Sequence, residues 1–374
     1  MKRICLIIYV IAALLSLQST AQSCIDTNAT AATKKLYGNL YRLQQSHIIF
    51  GHQDALAYGV GWKYENGRSD IYSVLKDRPG LYGWDIGMIE MDATKNLDAV
   101  PFDQMKKFIR EGYCRGALIT ISWHMRNPLT GGNAWDTTPG SLASVLPGGA
   151  KHALFKSWLD KVAVFMNDLK DDKGQMIPVL FRPFHELTGN WFWWCKNNGT
   201  PEEFKTLWKF TVHYLRDEKQ LHHLLYVYNA ASFDNEAAFL ERYVGDEYAD
   251  VLSFDQYQFG ARPERASFIK KMRAQLDILT QLAARKNKIA ALAETGLEAI
   301  PDSSWWTETL WPVLKGYPLA YVLVWRNAGY MPSEKKMHYY APYPGQASAN
   351  NFKKFYRNPA LLFEKKTKKR RLYQ

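Results

Sequence analysis

The sequence predicts an α/β fold: a single (β/α)8 TIM barrel with its active site at the C-terminal ends of the strands. Three observations carry that expectation. Short β-rich runs recur eight times along the 374 residues, each followed by a helix-patterned stretch, as βα units on a parallel sheet require. No G-x-G-x-x-G opens the first unit, which argues against an open dinucleotide-binding sheet. The tips of the runs are denser in polar groups than folding needs. An apolar content of 47% supports the large core that a barrel of about 250 residues or more requires.

In chain order the runs are 47–53, 81–86, 117–124, 178–186, 224–229, 251–257, 289–294 and 320–325. The connecting segments carry helix signals. Residues 102–111 read as a helix stopped by Gly112 as its C-cap. Thr200-Pro201-Glu202-Glu203 is a capping box with proline at the first helical position, and Phe204, Leu207, Trp208, Thr211, Val212 and Leu215 then share one face. Met272, Leu276, Leu279 and Ala283 form a second apolar stripe. The stretch 126–149, rich in Gly and Pro and holding Trp135, reads as a loop on the barrel rim.

Residues 1–21 read as a secretory signal: Lys2 and Arg3, an apolar stretch from 4 to 17, and small residues in Ser19-Thr20-Ala21. The stretch is short for a membrane span, and no later segment is long and apolar enough for one. The expected product is therefore exported, periplasmic or secreted, with a catalytic domain over 22–363. Cys24 leaves lipoprotein anchoring open, although Ala21-Gln22-Ser23 is a poor lipobox. Cys24, Cys114 and Cys195 show no zinc or disulfide spacing and read as buried free thiols.

The net charge of +12 falls to +10 without Lys2 and Arg3, and six more cations lie in 365–371. The body is then close to neutral, which argues against a nucleic-acid partner. Residues 364–374 read as a basic C-terminal tail, solvated and disordered, with an anionic surface as its one plausible partner.

At the run tips stand His52, Gln53 and Asp54; Trp84-Asp85; Trp123-His124; Arg182, His185 and Glu186; Asn229; Asp255 and Tyr257; Glu294; and Trp325-Arg326-Asn327. In a barrel these converge on one cleft. Glu186 and Glu294, on the fourth and seventh runs, form the carboxylate pair that glycoside hydrolysis needs, with aromatic faces alongside for sugar rings. Nearby indoles desolvate Glu186 and favour its protonated form, making it the acid/base. Tyr257 and Arg182 are placed to hold Glu294 ionised as the nucleophile. Spacing alone does not choose between retention and inversion. Glu90 and Glu298 read as exposed and uninvolved. Of the adjacent Trp191, Trp193 and Trp194, at least one packs inward, with Trp191 chosen for stacking.

Arg182-Pro183-Phe184-His185-Glu186, Trp191-Phe192-Trp193-Trp194, Ala293-Glu294-Thr295-Gly296, Ser122-Trp123-His124, Asp255-Gln256-Tyr257 and the initial Gly51-His52-Gln53-Asp54 together resemble glycoside hydrolase family 26. That family comprises retaining β-mannanases on a (β/α)8 barrel. The resemblance implies Glu186 as acid/base with His185 beside it, and Glu294 as nucleophile oriented by Tyr257 and Arg182. It implies Trp191 and Trp325 as stacking platforms, and His124, Asp255 and Arg326 as hydrogen-bonding partners of the glycone sugars. The implied reaction is hydrolysis of β-1,4-mannosidic bonds in mannan, glucomannan or galactomannan, by a monomer needing no metal or organic cofactor. Some members act on mixed-linkage β-glucan or β-1,3-xylan. Leu187-Thr188 and Cys195 depart from the family pattern on the leaving-group side. Two rivals stand beside this reading. One is a metal-dependent hydrolase using His124, His185, Glu186 and Asp255; the other is a non-catalytic polysaccharide-binding barrel.

Overall fold

The structure, a computed structural model, describes residues 23–374; the leader expected at 1–21 lies outside them. Eight parallel strands close into a barrel: β1 (Ile48–Gln53), β2 (Leu81–Asp85), β3 (Leu118–Ser122), β4 (Val179–Arg182), β5 (Leu224–Ala230), β6 (Val251–Gln258), β7 (Ile289–Leu297) and β8 (Tyr321–Val324). Each pairs with the next, and β8 pairs back to β1 through Ile49–Tyr321 to His52–Val324. The order expected from the sequence is the order observed.

Side chains alternate across the barrel wall, as the two-residue strand period demands. Leu81, Leu118, Leu180, Leu225, Val251 and Ile289 point inward and fill the lower half of the barrel. Phe50, Tyr82, Trp84, Ile119, Ile121 and Trp123 point outward under the helices. Packing inside is tight: a Cβ on Gly83 would come 2.7 Å from the Leu323 side chain. The floor is a helix, Ala31–Leu43, whose N-cap Thr30 accepts from the Thr33 N–H. Its Leu36, Tyr37, Leu40 and Leu43 plug the stem end against that interior. Each such leucine contributes about 1.5–3 kcal/mol by leaving water.

Three elements depart from expectation. The helix placed at 102–111 runs on through Gly112 to Cys114, because Gly112 is where the helix crosses Tyr82: a Cβ there would lie 2.6 Å from that ring. The chain turns instead at Gly116, at φ 89°. The basic tail is folded. Leu361–Leu362 pairs with the start of β1, and Glu364–Lys369 forms a helix. Glu364 is buried, accepting from the Tyr82 hydroxyl at 2.6 Å and from Arg115 Nε at 2.8 Å. Leu372 is buried, and the Tyr373 hydroxyl donates to the Ala117 carbonyl at 2.7 Å. A run of six cations hid these anchors, since its charge sits on the solvent side of an amphipathic segment. Lastly, Cys24 and Cys195 are buried free thiols as expected, but the free thiol of Cys114 is exposed on the outer side of its helix.

Candidate active site

Strand β4 ends at Arg182, and the next residues turn sharply across the barrel mouth. Glu186 sits in that turn with φ 55°, a left-handed conformation uncommon for a side chain of its size. The turn is tied down on all sides. Leu187 N–H donates to the Asn229 carbonyl, Gly189 N–H to the Glu186 carbonyl, and Trp194 Nε1–H to the His185 carbonyl. Trp191 lies over Gly189, where a Cβ would stand 2.8 Å from the indole, and its Nε1–H donates to Glu186 Oε2 at 2.5 Å.

Glu294 reaches the same groove by a different device. Strict alternation from Ile289, Ala291 and Ala293 would turn it outward. Both neighbouring strands, however, record one extra residue in β7: Phe254 pairs with Leu292 but Asp255 with Glu294, and Val322 with Leu292 but Val324 with Thr295. This β-bulge re-aims Glu294 into the barrel. There Arg182 Nη2 donates to Oε1 at 2.6 Å and the Tyr257 hydroxyl to Oε2 at 2.8 Å. Arg182 Nη1 reaches Asp255 at 3.3 Å and also donates to Asn229.

Glu186, Asp255 and Glu294 each offer a carboxylate oxygen within 4.8 Å of the others. Burial, and then the charge of Glu294, push Glu186 up to about 7. Burial and Glu294 also raise Asp255, against the pull of Arg182. Tyr257 is raised by burial and by Glu294, so it keeps the proton it donates.

A second network supports the groove. His124 Nδ1 lies 2.7 Å from Asp85 Oδ2, which also accepts from the Ser122 hydroxyl at 2.6 Å. Burial opposes a charge on His124, but Asp85 outweighs it and raises the imidazole. His185 Nε2 stands 3.0 Å from His124 Nε2 and is kept neutral by burial and by the cations His124 and Arg182. The contact between the two Nε2 atoms joins the rings in one hydrogen bond. Phe192 and Trp135 pack on this pair, Trp135 stacked on His124 at 5.3 Å with 19° between planes.

Residues 25–316 match the family model described as Glycosyl hydrolase family 26. The chain belongs to this family. A GH26 β-mannanase of Bacteroides ovatus superposes with a TM-score of 0.85 at 48% identity, over 89% of this chain and 95% of that one. The catalytic domain of a Bacillus sp. JAMB-750 GH26 endo-β-1,4-mannanase gives 0.85 at 29% identity, over 94% and 96%. Among curated proteins, a mannan endo-1,4-β-mannosidase of Bifidobacterium adolescentis is 31% identical over 326 residues, 81% of this chain. The chain spans 32% of the length of that relative, and 37% of a Thermothelomyces thermophilus mannan endo-1,4-β-mannosidase.

Within this family 26 barrel, Glu186, Glu294, Arg182, His185, His124, Asp255 and Tyr257 share the groove expected of them. Trp191 is 37% exposed at its edge, while Trp193 and Trp194 are fully buried. Trp325 is half-buried, 6.3 Å from the His124 ring. Arg326 pairs with Asp98 at 3.2 Å, next to the Asp85–His124 pair and beside a recess of about 300 Å³. Glu90 is not exposed: it is buried, accepting from Trp123 Nε1 at 3.0 Å and from the Arg126 N–H at 2.8 Å, so it anchors the rim loop. Glu298 pairs with Lys336 and His338. Leu187 packs in the core, and Cys195 Sγ lies 3.3 Å from the Glu186 carbonyl, so both departures brace the turn from behind.

Sequence reasoning named Asp85, Asn229 and Trp135 without giving them roles, and passed over Phe192. Their common signal was position at a strand tip or beside an aromatic block. The carboxylate trio would be the natural seat for a cation, but Arg182 already donates to two of its members. His124 and His185, which the metal-dependent reading needed as ligands, hydrogen-bond to each other through Nε2.

Proposed function

We propose that this chain is an exported, monomeric β-mannanase cleaving internal β-1,4-mannosidic bonds with retention of anomeric configuration. The observation that carries the reading is a single groove holding Glu186 and Glu294 with oxygens within 4.8 Å of each other. Retaining enzymes hold their carboxyl groups about 5–5.5 Å apart, whereas inversion needs roughly 6.5–9.5 Å to admit a water. The names of the relatives support mannan and internal cleavage. Lys2, Arg3 and the apolar stretch behind them support export.

The roles follow from environment. Glu294, gripped by Arg182 and Tyr257, attacks the anomeric carbon as the glycosidic C–O bond breaks. Glu186, protonated up to about pH 7, delivers its proton to the departing oxygen. The covalent glycosyl-enzyme is then attacked by a water whose proton passes to Glu186, and the Glu294 ester bond breaks. Trp191 and Trp325 offer faces to sugar rings. Asp255 Oδ1 and His185 Nδ1, buried without a hydrogen-bond partner among the described residues, serve the sugar hydroxyls.

The test is a product profile on mannan, glucomannan, lichenan and β-1,3-xylan, with the first-formed anomer read by NMR. Mannan and glucomannan should yield β-configured oligosaccharides of mixed size. Glu186→Ala should lose about 10²–10⁴-fold in kcat/KM on mannan. It should lose far less in glycosylation by an aryl mannoside whose leaving group needs no proton. Release of the α anomer first, or no release from any of the four polymers, refutes the reading.

A further inference from the structure

The excess positive charge of this protein lies at the stem end of the barrel, opposite the cleft. Without Lys2 and Arg3 the net charge of +12 becomes +10, and six of the remaining cations fall between 365 and 371. Lys34, Lys35 and Arg42 add three more on the solvent side of the floor helix Ala31–Leu43. Eight of these nine are exposed and Lys366 is half-buried. None of the nine is in an ion pair among the described residues, whereas their neighbours Arg78 and Arg115 both pair with Glu364.

The two segments form one surface. Asn39 Nδ2, on the floor helix, donates to the Leu372 carbonyl at 2.8 Å and to that of Gln374 at 3.3 Å. Arg370 Nη2 lies 2.7 Å from His47 Nε2. Arg42, Ser46, His47 and Arg370 line a recess of about 280 Å³ between the segments. Two guanidinium groups, a hydroxyl and an imidazole suit a tetrahedral oxyanion. Asp171 and Asp172 border the surface near Cys114, beyond the tilted ring pair of Tyr113 and Tyr373.

Two observations say what the surface meets. Among the described residues the exposed large apolar side chains all lie outside these segments, so the surface offers no platform for nucleic-acid bases. The amino-terminal end of the described residues lies here too: Ser23 lines the same surface hollow as Lys34, Lys35 and Arg42, and the apolar stretch 4–17, expected to take the chain to a membrane for export, precedes it in sequence. We infer that this basic stem face docks on an anionic phospholipid surface, seating lipid phosphates among Arg42, His47 and Arg370, so that the cleft faces away from the bilayer. Such a face draws on the negative surface potential of the membrane and weakens with salt.

The test compares the full chain with a variant carrying Lys368→Gln, Lys369→Gln, Arg370→Gln and Arg371→Gln. All four side chains are exposed, so thermal unfolding should be unchanged and serves as the fold control. Both proteins are sedimented with vesicles of phosphatidylcholine alone and of phosphatidylcholine and phosphatidylglycerol in equal parts. The leader is common to both, so the difference between them reads the stem face. The native chain should prefer the anionic vesicles, and the variant should bind them more weakly by about 5-fold for each cation removed at low salt. Equal binding of the two proteins to anionic vesicles overturns the proposal. So does equal binding of the native chain to both vesicle types. Tighter binding to single-stranded RNA than to vesicles assigns the face to nucleic acid and overturns it as well.

Discussion

Glu186 carries two costs at once: a left-handed backbone at φ 55° and a buried carboxyl beside another carboxylate. The first costs on the order of 1–3 kcal/mol and is held by the hydrogen bonds that pin residues 183–189. The second gives a pH signature. With its pKa raised from 4.5 to about 7, Glu186 prefers its protonated form in the folded state. The stability this confers is complete below the unfolded value and is lost as pH rises through the folded one, leaving a penalty of roughly 3 kcal/mol above pH 8. Glu186→Gln should therefore melt higher than the native protein at pH 8 and no higher at pH 4, by calorimetry. The same ionisation should set the basic limb of kcat/KM near pH 7. Asp85 acts through His124. Asp85→Asn removes the charge that offsets burial, so the His124 titration followed by NMR should drop below that of an ordinary imidazole.

The two carboxylates reach one groove through opposite irregularities in their elements. Strand β4 stops at Arg182 and delivers Glu186 on a turn, while β7 continues to Leu297 and delivers Glu294 through a bulge. The bulge sets which face of β7 the side chain takes, because a one-residue slip reverses every later position. A chain lacking Ala293 should pair Asp255 with Glu294 directly after Phe254 with Leu292, so Glu294 keeps the barrel face without the bulge. Hydrolysis of mannan should then stay well above the level of Glu294→Ala, with the far-UV circular dichroism of an α/β barrel. A fall to that level would show that the bulge itself, and not the register after it, aims Glu294.

At the scale of the whole molecule, the barrel separates its tasks by end. The mouth gathers carboxylates, histidines and indoles, and the stem is closed by the floor helix and the folded C-terminal segment. Leu372 is part of that closure, 2% exposed against the interior cluster. Leu372→Ala should cost about 2–4 kcal/mol in denaturant unfolding and leave kcat/KM unchanged at moderate temperature, since the cavity opens far from the groove. A matching fall in kcat/KM would mean that the floor and the mouth are coupled.

Periodicity and residue chemistry made much of this protein legible in one dimension. Eight β-rich runs, the capping box at Thr200 and the stripe from Met272 to Ala283 are local signals, and local physics honoured them. Glu186, Glu294 and their partners were readable because a parallel barrel brings every strand tip to one mouth. The Ala293 bulge, the burial of Glu90 by Trp123 and Arg126, and the seating of Glu364 beneath Tyr82 and Arg115 were not. Each depends on which distant group comes to lie opposite, and that pairing exists only once the chain has closed. The sequence by itself determined the eight barrel strands, several of the helices between them and the identity of the reacting groups. The tertiary structure alone decided which way each carboxylate faces and where the basic charge is displayed, because facing and display are relations between segments far apart in the chain.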